Sequence, residues 1–309
     1  MKLKKISNFL NSIRGNIKPY SCSSTRFRVS PIICSHTAEG HSKAVLSVDS
    51  YDNKLFTGSK DRTAKIWDLH TGQEILSLCG HPNNVTKIRY CPEINLVFTV
   101  SSSYVKVWDI REAPSTCVKT LSSSGVVIDG DLGIYKSNRT LLNELPSGEH
   151  QINDIVLDRH GSRIYTAAGN SVRIWDLKQF LTIGRLSAGH NSTIMTLALD
   201  DVDYDNNVLI TGSKDHYIKI FDVNSGVGVI TAKRSLTPPH YDGIQTLAIV
   251  GDTLFSGSRD MCIKKWDLVD YSCKQVNIWP PRKHTVFTFI NLYFFKSLLI
   301  THTKIGYTL

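Results

Sequence analysis

The sequence predicts an all-β fold, a β-propeller of four-stranded blades stacked radially, and three observations carry that prediction. Five segments end in Trp-Asp or a close variant: Lys65-Ile66-Trp67-Asp68, Lys106-Val107-Trp108-Asp109, Arg173-Ile174-Trp175-Asp176, Lys219-Ile220-Phe221-Asp222 and Lys264-Lys265-Trp266-Asp267. A histidine opens four of the repeats, in Gly40-His41, Gly80-His81, Gly189-His190 and Pro239-His240. Between these marks the apolar residues alternate around a tight turn, as in "NKLFTGSKDRTAKIWDL", "VLITGSKDHYIKIFDV" and "TLFSGSRDMCIKKWDL". Short strands with turns at a period of about 40–45 residues read as one blade per repeat. A blade cannot bury both of its faces alone, so each needs neighbours.

Taken in order, the Trp-Asp units are spaced by 41, 67, 46 and 45 residues. Blades are expected at about 40–69, 80–110, 150–177, 189–223 and 239–268, within a repeat region spanning 34–268. The long interval holds a degenerate stretch near 122–150, where Gly148-Glu149-His150 is the nearest match to a repeat start. Residues 1–33 read as a basic leader and 269–309 as a divergent apolar tail.

The signature residues suggest a hydrogen-bond chain of the WD-repeat type. In the first repeat the Trp67 indole is expected to donate to Ser59, Ser59 to His41, and the other imidazole nitrogen to meet Asp61. The fifth repeat has the same set in His240, Ser258, Asp260 and Trp266. The fourth has His190, Ser213 and Asp215, but Phe221 replaces the Trp and removes one donor. Repeats 2 and 3 have turns one residue shorter, Ser101-Ser102-Ser103 and Gly169-Asn170-Ser171, and lack the Asp, so they should rely more on packing. A His, Ser and Asp together also suggest a hydrolase triad. A set repeated in equivalent places, with no G-x-S-x-G elbow, suits a structural device. No catalytic or cofactor-binding residue is therefore assigned.

Composition bounds the function. The chain has 309 residues, 41% hydrophobic and 20% charged, which fits a globular protein. Seven cysteines without a C-x-x-C pair argue against a disulfide framework or a zinc ribbon and suit a reducing compartment. Cys34, His36 and His41 lie close together, but no second ligand pair follows at zinc spacing, so no metal is expected. The net charge of +9 sits in the termini. Residues 1–39 carry seven Lys/Arg and 268–309 carry five, each against one acid, which leaves the middle at −1. Nucleic acid is not the expected partner.

The repeats also resemble a particular family. "AEGHSKAVLSVD", "LFTGSKDRTAKIWDL", "YVKVWDIR", "LITGSKDHYIKIFDV", "PPHYDGI" and "LFSGSRDMCIKKWDL" look like the C-terminal WD-repeat tail of kinesin-4 family motors of the KIF twenty-one type, over about residues 34–268. The resemblance implies a seven-bladed propeller, so five recognisable blades read as an incomplete ring. It also implies a cytoplasmic, cytoskeleton-associated protein whose partners are microtubules, cargo or regulators. The family's ATPase head is not represented: there is no G-x-x-x-x-G-K-[ST] phosphate loop and no sustained heptad run. A stand-alone adaptor in a signalling or ubiquitin-ligase assembly stays open as the second reading.

The tail and leader depart from the repeat pattern. Lys283-His284 stands where a sixth repeat would start, yet no Trp-Asp follows, as expected of a truncated form. The 15 mostly apolar residues Val286 to Ile300 fall short of the roughly 20 a membrane helix needs, so no membrane is expected. Leu3, Ile6, Leu10 and Ile13 lie at helical spacing among Lys2, Lys4, Lys5 and Arg14. They read either as a targeting or surface helix or as a flexible basic leader.

One pattern indicates a binding face. The residue before each intact turn Asp is Lys60, Lys214 or Arg259. Equivalent positions point to one side of the ring, which predicts a basic arc suited to an acidic partner, tubulin being the candidate the resemblance supplies.

Overall fold

The computed structural model describes residues 15–19, 36–111, 115–131, 145–187, 189–200, 207–224 and 227–276. These residues form a short hairpin and five antiparallel blades. The hairpin pairs β1 (Asn16–Pro19) with β2 (His36–Glu39). Blade 1 is β3 (Val45–Tyr51), β4 (Lys54–Ser59), β5 (Ala64–Asp68) and β6 (Glu74–Leu78). Blade 2 is β7 (Val85–Cys91), β8 (Leu96–Ser101), β9 (Tyr104–Asp109) and β10 (Thr116–Ser122), with β11 (Val127–Asp129) added outside. Blade 3 is β12 (Ile152–Leu157), β13 (Arg163–Ala168), β14 (Ser171–Asp176) and β15 (Leu181–Leu186). Blade 4 is β16 (Ile194–Asp200), β17 (Val208–Ser213) and β18 (Ile218–Asp222). The chain then lays β19 (Gly228–Ile230) parallel to β15 of blade 3 before β20 (Arg234–Ser235) completes blade 4. Blade 5 is β21 (Ile244–Val250), β22 (Thr253–Ser258), β23 (Ile263–Asp267) and β24 (Cys273–Val276). Each outermost strand thus lies beyond its Trp-Asp unit. The leader before Gly15 and the tail after Val276 lie outside the described residues.

The innermost strands pack in chain order, β3 to β7 to β12 to β16 to β21. No comparable contact joins β21 back to β3 among the described residues. Four apolar cores lie between the five blades. Phe56, Ile66, Val85 and Trp108 join blades 1 and 2, while Val107, Ile155 and Trp175 join 2 and 3. Ile174, Leu197 and Phe221 join 3 and 4, and Ile220, Ile244 and Trp266 join 4 and 5. Being covered on both faces explains why the second strands read as unbroken apolar and small-residue runs such as "LFTGS" and "LITGS".

Main-chain bonds reinforce these cores near the axis. Ser47 Oγ accepts from Ile88 N at 3.1 Å, Asp49 Oδ2 from Tyr90 N at 2.8 Å, and Asp154 Oδ2 from Leu197 N at 3.0 Å. Lys87 Nζ reaches Asp154 at 3.0 Å. A side chain on one innermost strand therefore caps the backbone of the next.

Candidate interaction face

The turns β4–β5, β17–β18 and β22–β23 are built alike. In each, the residue after the turn Asp takes a left-handed conformation: Arg62 at φ 69°, His216 at 75° and Met261 at 65°. The loops that open the blades run beside these turns. His41 Nδ1 lies 2.8 Å from Asp61, His190 Nδ1 2.9 Å from Asp215, and His240 Nδ1 2.8 Å from Asp260.

The hydroxyl at the centre of each chain is not the expected serine. Trp67 Nε1 donates to Thr57 Oγ1 at 2.9 Å, and His41 Nε2 lies 2.8 Å from the same oxygen. Thr211 holds that position for His190 at 2.7 Å. Ser256 holds it for His240 and Trp266, at 2.8 Å each. Register explains the correction to Ser59, Ser213 and Ser258. Trp67 pairs with Leu55 and Trp266 with Leu254, so the hydroxyl two residues further lies on the same face. The predicted serine, four residues further, is roughly 13 Å along the strand. Those serines instead tie turn to loop. Ser59 Oγ donates toward Lys43 and Ala44 carbonyls and accepts from Asp61 N at 3.1 Å. Ser213 does the same with Ser192, Thr193 and Asp215, and Ser258 with Asp242 and Asp260.

Repeat 2 keeps more of the chain than its missing Asp suggests. His81 Nε2 is 2.8 Å from Thr99 Oγ1, to which Trp108 donates at 2.8 Å. Its Nδ1 lies 3.0 Å from the Arg62 carbonyl, borrowed from the turn of blade 1. Repeat 3 retains the Trp175 to Thr166 bond at 3.0 Å.

Electrostatics fix the charge states. Burial lowers His41 and His240 despite Asp61 and Asp260. Burial, then Lys106, lowers His81 to about 3. Burial works against Asp61, but bonds from Thr63 and His41 hold it at about 2. Neutral imidazoles at Nδ1 therefore donate to carboxylates or, in His81, to a carbonyl, and at Nε2 accept from the hydroxyl.

Sequence reasoning missed a second device, the buried lysine that opens each K-x-W-D unit. Lys106 is wholly buried, donates to Gly80 O at 2.6 Å and pairs with Asp131. Lys264 donates to Pro238 and Pro239 carbonyls at 2.9 and 2.8 Å, and Lys65 pairs with Glu74 at 2.8 Å. Lys106 and Lys264 also sit 5.6 and 5.7 Å from the Trp108 and Trp266 rings. Recurrence of Lys two residues before Trp67, Trp108 and Trp266 was the available signal, but a surface charge is the default reading of Lys.

Lys60, Lys214 and Arg259 are exposed, and their backbone amides make one repeated bond. They donate to Ala44 O at 2.9 Å, Thr193 O at 2.9 Å and Gly243 O at 3.0 Å. The turns of blades 2 and 3 place Ser102 and Gly169 there and carry no cation. Among the described residues no cluster of three His, Cys, Asp or Glu could hold a metal, and no helix is long and apolar enough to cross a membrane. Cys34 and the Val286–Ile300 stretch lie outside the described residues.

Comparison with known proteins places these features. The model of the WD domain, G-beta repeat, matches residues 32–68, 72–109, 139–176 and 182–222. Kinesin-like protein KIF21A of Homo sapiens is 54% identical over 84% of this chain. Kinesin-like protein KIF21B of Mus musculus is 50% identical over 85%, and kinesin-like protein klp-12 of Caenorhabditis elegans 38% identical over 76%. The chain spans only about 15% of the length of these relatives. With five blades, repeated Trp-Asp units and this similarity together, the chain belongs to the WD-repeat β-propellers and is similar to the WD-repeat region of KIF21-type kinesin-like proteins.

Proposed function

We propose that the chain is a non-catalytic docking platform and that the face carrying Lys60, Lys214 and Arg259 takes an acidic protein partner. The observation that carries this reading is the identical backbone placement of three exposed cations in turns whose carboxylates are engaged inward. Asp61, Asp215 and Asp260 bond to histidines and to the amides of Ser42, Asn191 and Tyr241. The cations are left toward solvent, where they steer and orient an acidic surface. The His–Asp pairs are duplicated, part-buried and engaged at both imidazole nitrogens, which supports a structural role over acid–base chemistry. Similarity to kinesin-like proteins makes tubulin the partner to test first, with motor cargo and regulators after it.

The test is co-sedimentation of the full chain with microtubules, against a variant carrying Lys60→Glu, Lys214→Glu and Arg259→Glu. Wild-type pelleting should fall as salt rises, and the triple variant should remain in the supernatant at every salt concentration. Equal pelleting of the two proteins would overturn the reading.

A further inference from the structure

The three cations are not equally supported by their surroundings. Lys60 stands on blade 1, and the uncharged turns of blades 2 and 3 separate it from the others. Lys214 and Arg259 belong to neighbouring blades whose loops are bonded in series. His240 N donates to His216 O at 3.3 Å, Tyr241 N to Asp260 Oδ2 at 2.9 Å, and Arg259 N to Gly243 O at 3.0 Å. Gly243 approaches so closely that a Cβ there would lie 3.2 Å from Lys214 Cα. The segments 213–217, 240–243 and 258–262 therefore form one pinned surface over the boundary of blades 4 and 5.

That surface displays large apolar groups beside the cations. Tyr241 is 83% exposed, Met261 49% and Tyr217 41%. The equivalent positions on blade 1 are Ser42, Arg62 and Thr63, none of them large and apolar. Aromatic side chains next to exposed cations have the composition of an interface hot spot, and a pinned backbone lowers the ordering cost of binding. The exposed acid in the unit, Asp242, accepts from Gly243 N at 2.5 Å. Two cations are too few for the multiple phosphate contacts that nucleic acid needs. They suit a short peptide with flanking carboxylates.

We propose that the blade 4–5 boundary is a peptide-docking site for an acidic segment carrying one aromatic side chain. Its carboxylates pair with Lys214 and Arg259, and its ring packs on Tyr241, Met261 and Tyr217. This inference rests on the acidic-partner reading and narrows it, making Lys60 peripheral.

The test is fluorescence anisotropy on the full chain with three labelled peptides: phenylalanine between two runs of three glutamates, the same with alanine at the centre, and the first with glutamines for glutamates. An oligothymidine of twelve nucleotides is the fourth probe. The phenylalanine peptide should bind about tenfold tighter than the alanine peptide, and the glutamine peptide should show no saturable binding. Tyr241→Ala should erase the phenylalanine advantage without moving the thermal midpoint, because the ring is exposed. Lys214→Glu should weaken both acidic peptides, and Lys60→Glu should change them less than about threefold. Equal binding of the two acidic peptides, equal loss from Lys60→Glu and Lys214→Glu, or tighter binding of the oligothymidine would overturn this site while leaving the acidic-partner reading standing. Failure of both acidic peptides and the oligothymidine to bind would overturn both.

Discussion

The indole nitrogen of Trp67 lies 2.9 Å from the hydroxyl of Thr57, and that hydroxyl is also 2.8 Å from His41 Nε2. One oxygen thus satisfies two buried ring nitrogens. Thr57→Val keeps the shape and removes both bonds, so it should cost about 2–3 kcal/mol through groups left unpaired in the interior. Thr57→Ser restores the hydroxyl and should recover most of that loss. Urea unfolding followed by Trp fluorescence checks both. A Ser59→Ala variant costing more than Thr57→Val would reverse the assignment.

Gly212 lies under the innermost strand of the next blade. A Cβ there would fall 2.5 Å from Ile244 Cγ2 and 3.0 Å from its Cβ. Gly212→Ala therefore has to push blade 5 off blade 4, with an expected loss of about 1–3 kcal/mol. The double variant Gly212→Ala with Ile244→Ala, which removes the opposing Cγ2, should lose less than the sum of its parts. Additive losses in denaturant midpoints would show that the close approach is not the cause.

Blade number and strand identity were legible because Trp-Asp units and alternating runs recur at fixed spacing. The central hydroxyl was legible too, but in a different pattern. Thr57, Thr99, Thr166, Thr211 and Ser256 stand nine or ten residues before Trp67, Trp108, Trp175, Phe221 and Trp266 in all five repeats. The serine chosen from the G-S-x-D turn is replaced by Ala168 in the third. Proximity to the Asp in sequence favoured the serine, whereas strand register decides which side chain meets the indole. The return of β19 to blade 3 was not legible, because "GVI" has no pattern that distinguishes one outer edge from another. Nor was the carbonyl that His81 takes from Arg62, since a backbone acceptor carries no sequence signature.

Phe221 fills the place of a Trp and is buried, yet it has no N–H to offer Thr211. Gly189 packs against its ring as Gly40 packs against Trp67: an added Cβ would lie 2.7 Å from Phe221 Cζ and 2.8 Å from Trp67 Cη2. Phe221→Trp should supply the missing donor. The expected gain is about 1 kcal/mol, the net worth of one buried hydrogen bond. A higher thermal midpoint checks it, and a lower one would mean that overpacking outweighs the bond.

Acid should weaken the fold well before Asp61 titrates. An unfolded histidine takes up a proton near 6.5, whereas burial, aided by Lys106, keeps His81 neutral in the fold down to about 3. Between those values the unfolded chain binds more protons than the folded one. The contribution of His81 is therefore complete above pH 6.5 and is lost as pH falls toward 3. His41 and His240 are lowered by burial in the same direction, against the opposing pull of Asp61 and Asp260. Asp61, held at about 2 against the cost of burial, adds a separate loss only below its ordinary 3.8. Urea midpoints should stay level from pH 8 to 7 and then decline, each histidine adding a slope of at most about 1.4 kcal/mol per pH unit. His81→Gln removes one titrating group and should make the decline between pH 6 and 4 shallower, even though the variant starts from a lower stability. A midpoint that rises on acidification through this range would show that the histidines are charged in the folded state.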